Sequence, residues 1–281
     1  IEGGFLVRVL ELRKARGSPI TVAELSFSIA EGRGVEVWVP PVLEHVGEER
    51  EQVDPPCGAL REAWGHLHRG MTLYIVYPPG SDYVDLLVPV LAMAIENDMR
   101  VLVVSYKYPP ALVSEDLASA LSRAGIGEGV AREIVSRYVS FRSINPFSYA
   151  TSQLAIRENQ LIASERPDIV VFHGVDIAGA GVDLRRYVAE LYNQLNYLKQ
   201  AGVTVVRVGA YVDPVRHRME ARLADVVMRL SYEEVAPGRL YYRAFTWRRH
   251  GMPRILGSSE LEGCVRESLD TVRRRCEGLG G

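Results

Sequence analysis

The segment with the clearest chemical implication is an apolar strand that leads into a glycine turn and then into a helical sequence. Residues 74–84 read Tyr-Ile-Val-Tyr-Pro-Pro-Gly-Ser-Asp-Tyr-Val. A strand, a glycine-containing turn and a helix in this order build the phosphate-binding loop G-x-x-x-x-G-K-[ST]. In that loop, backbone N–H groups and the lysine contact phosphates, and the hydroxyl binds Mg²⁺. The segment therefore has the backbone frame of a nucleotide-binding loop.

The residues that perform the chemistry of such a loop are replaced. With Gly80 aligned on a loop glycine, Tyr83 stands where the lysine is needed and Val84 where the Mg²⁺-binding hydroxyl is needed. Asp82 adds a carboxylate where phosphate oxygens would lie, which is electrostatically unfavourable. The sequence thus predicts a degenerate nucleotide site. Its loop positions are Tyr77, Gly80, Ser81, Asp82, Tyr83 and Val84.

Pro89 also indicates, on steric grounds, that the helix after this loop departs from that of a nucleotide-binding loop. A helix that follows this loop would contain Pro89 in its second turn. Proline there removes a helix hydrogen bond and clashes with the carbonyl four residues earlier, at a cost of about 3 kcal/mol. We expect the helix to start late or to be kinked.

Composition limits the function classes. The chain has 281 residues, of which 47% are hydrophobic, and a net charge of −2. This length suits one large domain with an appendage, or two small domains. The near-balanced charge does not indicate attraction to nucleic acid or membrane. No apolar run reaches the roughly 18 residues of a membrane span, and no signal-peptide pattern is present, so we expect a cytoplasmic protein. Only three of the 33 basic residues are lysine, a bias compatible with a thermophile or a GC-rich genome.

The cysteines and histidines do not form a recognisable metal site. Cys57, Cys264 and Cys276 are too few for a disulfide framework or a zinc ribbon. Cys264 and Cys276 share a predicted helix that separates them by about 18 Å, which is too far for a bond within it. His66 and His68, with Cys57, have metal-ligand chemistry but lack a fourth ligand. We expect packing or surface histidines and no metal.

The pattern of elements predicts an α/β fold with a mainly parallel twisted sheet and helices on both faces. Residues 1–50 form an N-terminal appendage and linker, residues 51–257 the core, and residues 258–281 a C-terminal helix. In the appendage we predict strands at 5–13 and 35–39, and a helix from about residue 22 because Thr21 to Glu24 fits a capping box. Residues 40–58 are predicted to be a linker. In the core, strands are predicted at 71–77, 100–106, 138–144, 169–172 and 203–211, helices at 85–97, 114–124, 152–165 and 183–200, and an antiparallel hairpin at 226–232 and 240–247.

Several of these segments, taken in order, resemble the KaiC/RadA-like branch of the RecA ATPase fold. They are similar to the start of the first core strand, the G-P-P-G-[ST] loop, the strand before the paired glutamates, the Walker B strand and a K-x-R-G-x-x-H element. The matching residues are 69–73, 77–81, 101–109, 166–173 and 248–254. The resemblance covers about two thirds of the chain and implies a P-loop NTPase fold that assembles in rings or filaments.

The departures from that family all remove catalytic groups. Lys107 and Tyr108 align with the paired glutamates that orient the attacking water, and His173 aligns with the Walker B carboxylate. The resemblance therefore implies a pseudo-ATPase without cofactor, with bound ATP and Mg²⁺ as the alternative. Such a subunit would associate with itself or with an active RecA-like paralogue and act as an interaction or regulatory subunit. In the basic element, Arg248, His250 and Arg254 are the predicted inter-subunit or phosphate contacts.

Two further functions stay open from the sequence. The first is a recombinase paralogue that binds DNA in recombination or repair, through a loop that faces the pore in RecA-like rings. Its residues would be Arg216, His217, Arg218 and Arg222, although a solvated helix start is the simpler explanation in a chain so rich in arginine. The second is a nucleotide-binding ATPase with a non-standard site, rebuilt around Ser81, Lys107, His173 and Asp176.

Overall fold

The computed structural model describes residues 8–13, 24–30, 34–39, 51–80, 84–180, 183–236 and 239–277. The strands are β1 (Arg8–Glu11), β2 (Glu24–Ala30), β3 (Gly34–Trp38), β4 (Gln52–Val53), β5 (Leu67–His68), β6 (Thr72–Tyr77), β7 (Val101–Ser105), β8 (Val139–Ser143), β9 (Ile169–His173), β10 (Thr204–Ala210), β11 (Val226–Ala236), β12 (Arg239–Arg248) and β13 (Arg254–Gly257). The helices are α1 (Gly58–Trp64), α2 (Val84–Glu96), α3 (Pro110–Arg123), α4 (Glu128–Tyr138), α5 (Thr151–Glu165), α6 (Val175–Ala178), α7 (Leu184–Gln200), α8 (Pro214–Leu223) and α9 (Ser258–Glu277).

The core is an eight-stranded mixed sheet in the order β13-β12-β11-β6-β10-β9-β7-β8. The strands from β11 to β8 run parallel to one another, and β12 is antiparallel to both of its neighbours. The central strands are apolar runs buried on both faces, as parallel sheets require. The predicted α/β class and the C-terminal hairpin are confirmed.

Helices cover both faces of this sheet. Leu73 and Ile75 of β6 belong to a core that includes side chains of α1, α2, α3, α4 and α9. Tyr74 and Val76 of the same strand belong to a second core with α5 and α7. Because the parallel strands are in register, β6, β7, β9 and β10 all end at the same edge, which we call the carboxyl edge.

The appendage differs from its prediction. The residues in 24–30 form β2, which pairs with β1 and β3 in a three-stranded antiparallel sheet, so the helix predicted from about residue 22 is wrong there. Leu25, Phe27 and Ile29 alternate with small polar residues, and this period-two pattern outweighs the capping box. Residues 21–23 lie outside the described residues.

The end of the predicted linker belongs to the core. Residues 40–50 lie outside the described residues, but β4 pairs with β5, and Pro55, Pro56 and Cys57 are buried. Cys57 is joined to Cys264 of α9 by a disulfide bond, and its Sγ accepts a hydrogen bond from Leu60 N at the start of α1. A covalent bond therefore holds this segment against the last helix.

Two helices differ from expectation. α2 already exists at Val84, five residues before Pro89, so the predicted late start is wrong and the proline lies inside the helix. α4 was not predicted, yet it buries Ala131, Ile134 and Tyr138 at helical spacing. In the described part of the chain, no helix is both long and apolar enough to cross a membrane.

Candidate functional site

The phosphate-loop frame lies at the carboxyl edge of the sheet. β6 ends at Tyr77, Gly80 has a φ of 88°, and α2 follows from Val84. The Tyr77 side chain is buried in the apolar core. The backbone carbonyl of Tyr77 accepts a 2.8 Å hydrogen bond from Tyr211 N. Val84 is buried as well. Ser81, Asp82 and Tyr83 lie outside the described residues.

The ends of β7 and β9 are joined by a hydrogen bond between Ser105 and His173. Ser105 Oγ lies 3.2 Å from His173 Nδ1 and accepts hydrogen bonds from the backbone N–H groups of Lys107 (3.2 Å) and Tyr108 (2.9 Å). Because the hydroxyl oxygen accepts twice, its own hydrogen is the one directed at Nδ1. This arrangement places the imidazole hydrogen on Nε2.

The environment keeps His173 neutral. Its side chain is buried, and burial together with the Lys107 ammonium lowers the pKa of His173 to about 4. The Tyr108 ring stacks on the imidazole at 5.7 Å between centroids, and Lys107 Nζ lies 5.1 Å from the Tyr108 ring centroid. The backbone at Gly174 lies close to Lys107, because a Cβ on residue 174 would be only 3.2 Å from Lys107 Cβ. Lys107, Tyr108 and His173, which were predicted to share one site, are therefore brought together.

This cluster does not provide the ligands of a nucleotide-bound Mg²⁺ ion. Mg²⁺ prefers oxygen ligands, usually carboxylates with water and phosphate, whereas the cluster offers a neutral imidazole and an ammonium group. Asp176, the nearby acid named for a rebuilt site, uses its Oδ1 to accept a 2.9 Å hydrogen bond from Ala210 N. Among the described residues, no group of three or more His, Cys, Asp or Glu side chains could hold a metal ion. Cys57, one of the three metal-type residues considered from the sequence, is committed to a disulfide.

Two of the four residues predicted as a DNA loop are buried. Arg216 and His217 lie in α8 with 7% and 8% of their surface exposed, while Arg218 and Arg222 face solvent. Arg216 Nε donates to Glu220 Oε1 at 2.8 Å. Its two terminal nitrogens donate to the carbonyls of residues 175 and 176 in α6. Arg216 thus fixes α6 to α8 and is not available to a phosphate backbone.

The wider cluster around Glu220 was missed from the sequence. Arg207 of β10 donates to Glu220 Oε2 at 3.0 Å, and Tyr187 of α7 donates its hydroxyl to Glu220 Oε1 at 2.9 Å. The charges of Arg207 and Arg216 lower the pKa of Glu220 despite its burial, which raises it. A signal was present: Arg207 is the one charged residue in an otherwise apolar buried strand, and a buried charge needs a partner.

The basic element lies at the opposite edge of the sheet. Arg248 pairs with Val226, at the start of β11, and its Nη1 donates to Trp64 O at 3.1 Å. Arg254 forms ion pairs with Glu62 (2.6 Å) and Glu260 (3.2 Å). His250 is exposed and has a positive φ of 63°. Within one chain, the three residues do not meet the phosphate-loop frame, so a role at nucleotide would have to be at a neighbouring subunit.

Comparison with known proteins gives no assignment. The chain matches no model of a known protein family, and no curated protein matches it.

Proposed function

We propose that this protein is a pseudo-ATPase, a RecA/KaiC-like core that no longer hydrolyses nucleotide and acts as an interaction or regulatory subunit. The observation that carries the proposal is the packing of Ser105, His173 and Tyr108 at the carboxyl edge. In the ATPases that the chain resembles, this is where the Walker B carboxylate and the paired glutamates would lie. Here the corresponding side chains contact one another.

The architecture supports the RecA-like part of the proposal. The strand that leads into the glycine turn is followed by a helix, and the strand ending in His173 finishes at the same edge. The strand before Lys107 ends beside His173. The common edge of these three segments, with the antiparallel hairpin after them, is what supports the RecA-like part of the proposal.

The electrostatics support the loss of hydrolysis. Phosphoryl transfer depends on positioning and on cations that neutralise the phosphates, mainly Mg²⁺ and the loop lysine. The cluster contributes one lysine and no carboxylate for Mg²⁺, because His173 stands at the Walker B position. Lys107 and Tyr108 stand where the glutamates that orient the attacking water would be. Val84 offers no hydroxyl. We therefore expect neither Mg²⁺-dependent binding nor turnover of ATP.

Titration calorimetry with ATP and ADP, each with and without Mg²⁺, tests this proposal. We expect no binding heat up to about 1 mM nucleotide and no phosphate release above background. His173→Ala is the informative variant. Mg²⁺-dependent hydrolysis that disappears in this variant would refute the proposal and favour the rebuilt catalytic site. Light scattering on the same sample measures self-association.

We do not extend the proposal to DNA. Of the four residues predicted to contact it, Arg216 and His217 are buried, and the two exposed arginines, Arg218 and Arg222, are a small fraction of the phosphate contacts that usual DNA-binding proteins make. A cytoplasmic location belongs to the proposal, and the disulfide bond between Cys57 and Cys264 is compatible with it in a hyperthermophile, whose intracellular proteins are rich in disulfides.

A further inference from the structure

A cavity of about 410 Å³ lies between the sheet and the helices α1, α2 and α9. Its walls are almost entirely apolar, with side chains from all three helices and from β6, β10 and β11. Prominent among them are Trp64, Leu73, Met93, Met228, Leu230 and Leu261. Its size and lining are those of a small-molecule site, which typically occupies about 300–1,000 Å³ and is lined mainly by hydrophobic and aromatic residues.

The site is partly open to solvent, and its volume far exceeds the voids of about one water molecule that close-packed interiors contain. A dry apolar cavity of about 150 Å³ already binds benzene, and water against apolar walls has few hydrogen-bond partners. A cavity of 410 Å³ with these walls therefore suits an apolar molecule larger than benzene.

The charge distribution restricts the chemistry of that molecule. Among the described residues that line the cavity, Glu262 is the one with a charge, and none is Lys, Arg or His. The other polar groups include Ser258 and Tyr242, but the Ser258 hydroxyl accepts from Tyr242 N at 2.7 Å and donates to Tyr242 O at 3.0 Å. A carboxylate or phosphate would meet Glu262 without a compensating cation.

We propose that this cavity binds an aliphatic small molecule whose polar end is uncharged or cationic, such as a long-chain alcohol or amine, with that end at Glu262. The apolar walls bind the chain, and the carboxylate accepts a hydrogen bond from the hydroxyl or ammonium group. Nucleotides and fatty acids, which are anions, should bind more weakly because the exposed carboxylate of Glu262 repels them. The site is thus distinct in chemistry from a nucleotide site and independent of the proposed function.

Two further features connect the cavity to the rest of the fold. Pro56 and Cys264 are in its wall, so the disulfide bond covalently joins two sides of the site. Tyr77 and Pro89 also line it. Tyr77 is one of the loop positions of the phosphate-loop frame, and Pro89 lies inside the helix that follows it. Residues of the degenerate nucleotide site therefore help to form the apolar site.

Displacement of the neutral dye Nile red tests the proposal, with decanol, decylamine and decanoate as competitors of equal chain length. At neutral pH, where the amine is protonated and the acid ionised, we expect decanol and decylamine to displace the dye. Decanoate should bind weaker by about tenfold or more because its charge repels Glu262. Glu262→Gln should reduce that difference. Failure of the wild-type protein to bind the dye, decanol and decylamine, or binding of all three competitors with equal strength, overturns the proposal.

A second set of variants locates the binding. Val265→Phe adds volume from α9 into the cavity, and Leu230→Phe does so from β11, so one serves if the other fails to fold. Each should weaken decanol binding by about tenfold or more while circular dichroism stays unchanged. Val130→Phe, an exposed position on α4 remote from the cavity lining, is the matched control and should bind as wild type. Unchanged binding in a folded filled variant places the ligand elsewhere and refutes the site. Neither result affects the nucleotide titration, which tests the proposed function separately.

Discussion

Glu220 is the shared counter-ion of two buried arginines, Arg207 and Arg216. Arg207 and Arg216 have 5% and 7% of their surface exposed, and both donate to Glu220, which is 3% exposed. Two guanidinium groups can remain charged away from water only because this carboxylate and the Tyr187 hydroxyl offset their charge and satisfy their N–H groups. The cluster also connects β10, α7 and α8, so its loss would destabilise the packing of these helices on one face of the sheet.

We predict that Glu220→Gln lowers the free energy of unfolding by about 3–5 kcal/mol, because it leaves two buried charges without a counter-charge. Urea unfolding at neutral pH measures the change. The matched control is Glu128→Gln, which breaks a solvent-exposed pair with Arg132 and should cost about 0.5 kcal/mol or less. Equal effects of the two substitutions would mean that the cluster is not the buried network described.

The lowered pKa of His173 predicts that the stability of the protein depends on pH. Its pKa is about 4 in the folded protein and 6.5 ordinarily, so the unfolded chain binds the proton at higher pH than the folded chain. Stability should therefore fall as the pH is lowered from about 6.5 to about 4, by about 3 kcal/mol from this residue. His217, whose pKa is also lowered, mainly by burial, adds to the same trend.

The variant His173→Asn should be less pH-dependent than wild type across that window, since an amide does not titrate and its oxygen can accept from Ser105. The readout is the midpoint of urea unfolding at a series of pH values. His66→Asn, at an exposed histidine, is the control and should keep the wild-type slope. A wild-type slope in His173→Asn would show that the imidazole is not held neutral in the folded state.

Single residues also show what the sequence could and could not predict. The order of the motifs along the chain predicts that Lys107, Tyr108 and His173 lie together, because parallel strands end at one edge. It gives no information on side-chain contacts and so does not predict the hydrogen bond from Ser105. Arg216 was predicted to lie in a DNA-contacting loop or at a solvated helix start. Its burial depends on Glu220, four residues later, and on Arg207, which only the folded chain brings near.

The attachment of α9 depends on one covalent bond and on polar contacts at α1. The disulfide between Cys57 and Cys264 spans 207 residues. Next to it, Glu267 Oε2 accepts a 2.8 Å hydrogen bond from Gly58 N. A bond that closes so long a loop strongly restricts the unfolded chain, by about 5 kcal/mol in the chain-entropy description.

Cys264→Ser should accordingly destabilise the oxidised protein by up to about 5 kcal/mol. Thermal or urea unfolding measures the loss, and a reducing agent should bring the wild-type protein close to the variant. Cys276→Ser is the matched control, because Cys276 is a free, partly buried cysteine of the same helix. Titration of the denatured, unreduced wild-type protein should find one thiol per chain; three thiols would contradict the disulfide.

Secondary structure was predictable where burial alone decides it. The strands β6, β7, β9 and β10 are apolar runs, and no alternative structure would bury them as well. The helix predicted from about residue 22 is wrong because the alternation along β2 outweighs a four-residue capping pattern. α4 was not predicted, although Ala131, Ile134 and Tyr138 are apolar at helical spacing. The pairing of Cys57 with Cys264 could not be predicted, since it depends on where α9 packs.

The whole molecule combines two surfaces of different character. The eight-stranded core buries its apolar residues under helices on both faces, whereas the three-stranded appendage sheet has apolar side chains in solvent. The strand register puts Leu10, Ile29 and Val35 on one face of the small sheet, where they are 44%, 59% and 63% exposed. The other face carries the paired acids Glu11 and Glu24 together with Val9, which is 53% exposed. Several exposed apolar side chains close together are typical of an interaction surface.

From the proposed function we predict that one copy of the chain contacts another through the face that carries Leu10, Ile29 and Val35. Ile29 and Val35 are cross-strand neighbours, so the double substitution Ile29→Glu with Val35→Glu puts two like charges at the centre of the contact. We expect light scattering of the wild-type protein to give a mass above that of one chain, and the double variant to give the mass of one chain. Glu11→Gln with Glu24→Gln, on the opposite face, should leave the mass unchanged. A wild-type protein that stays single throughout a dilution series, or a double variant that assembles like wild type, would exclude self-association through this face, and the interaction partner would then have to be sought among active paralogues.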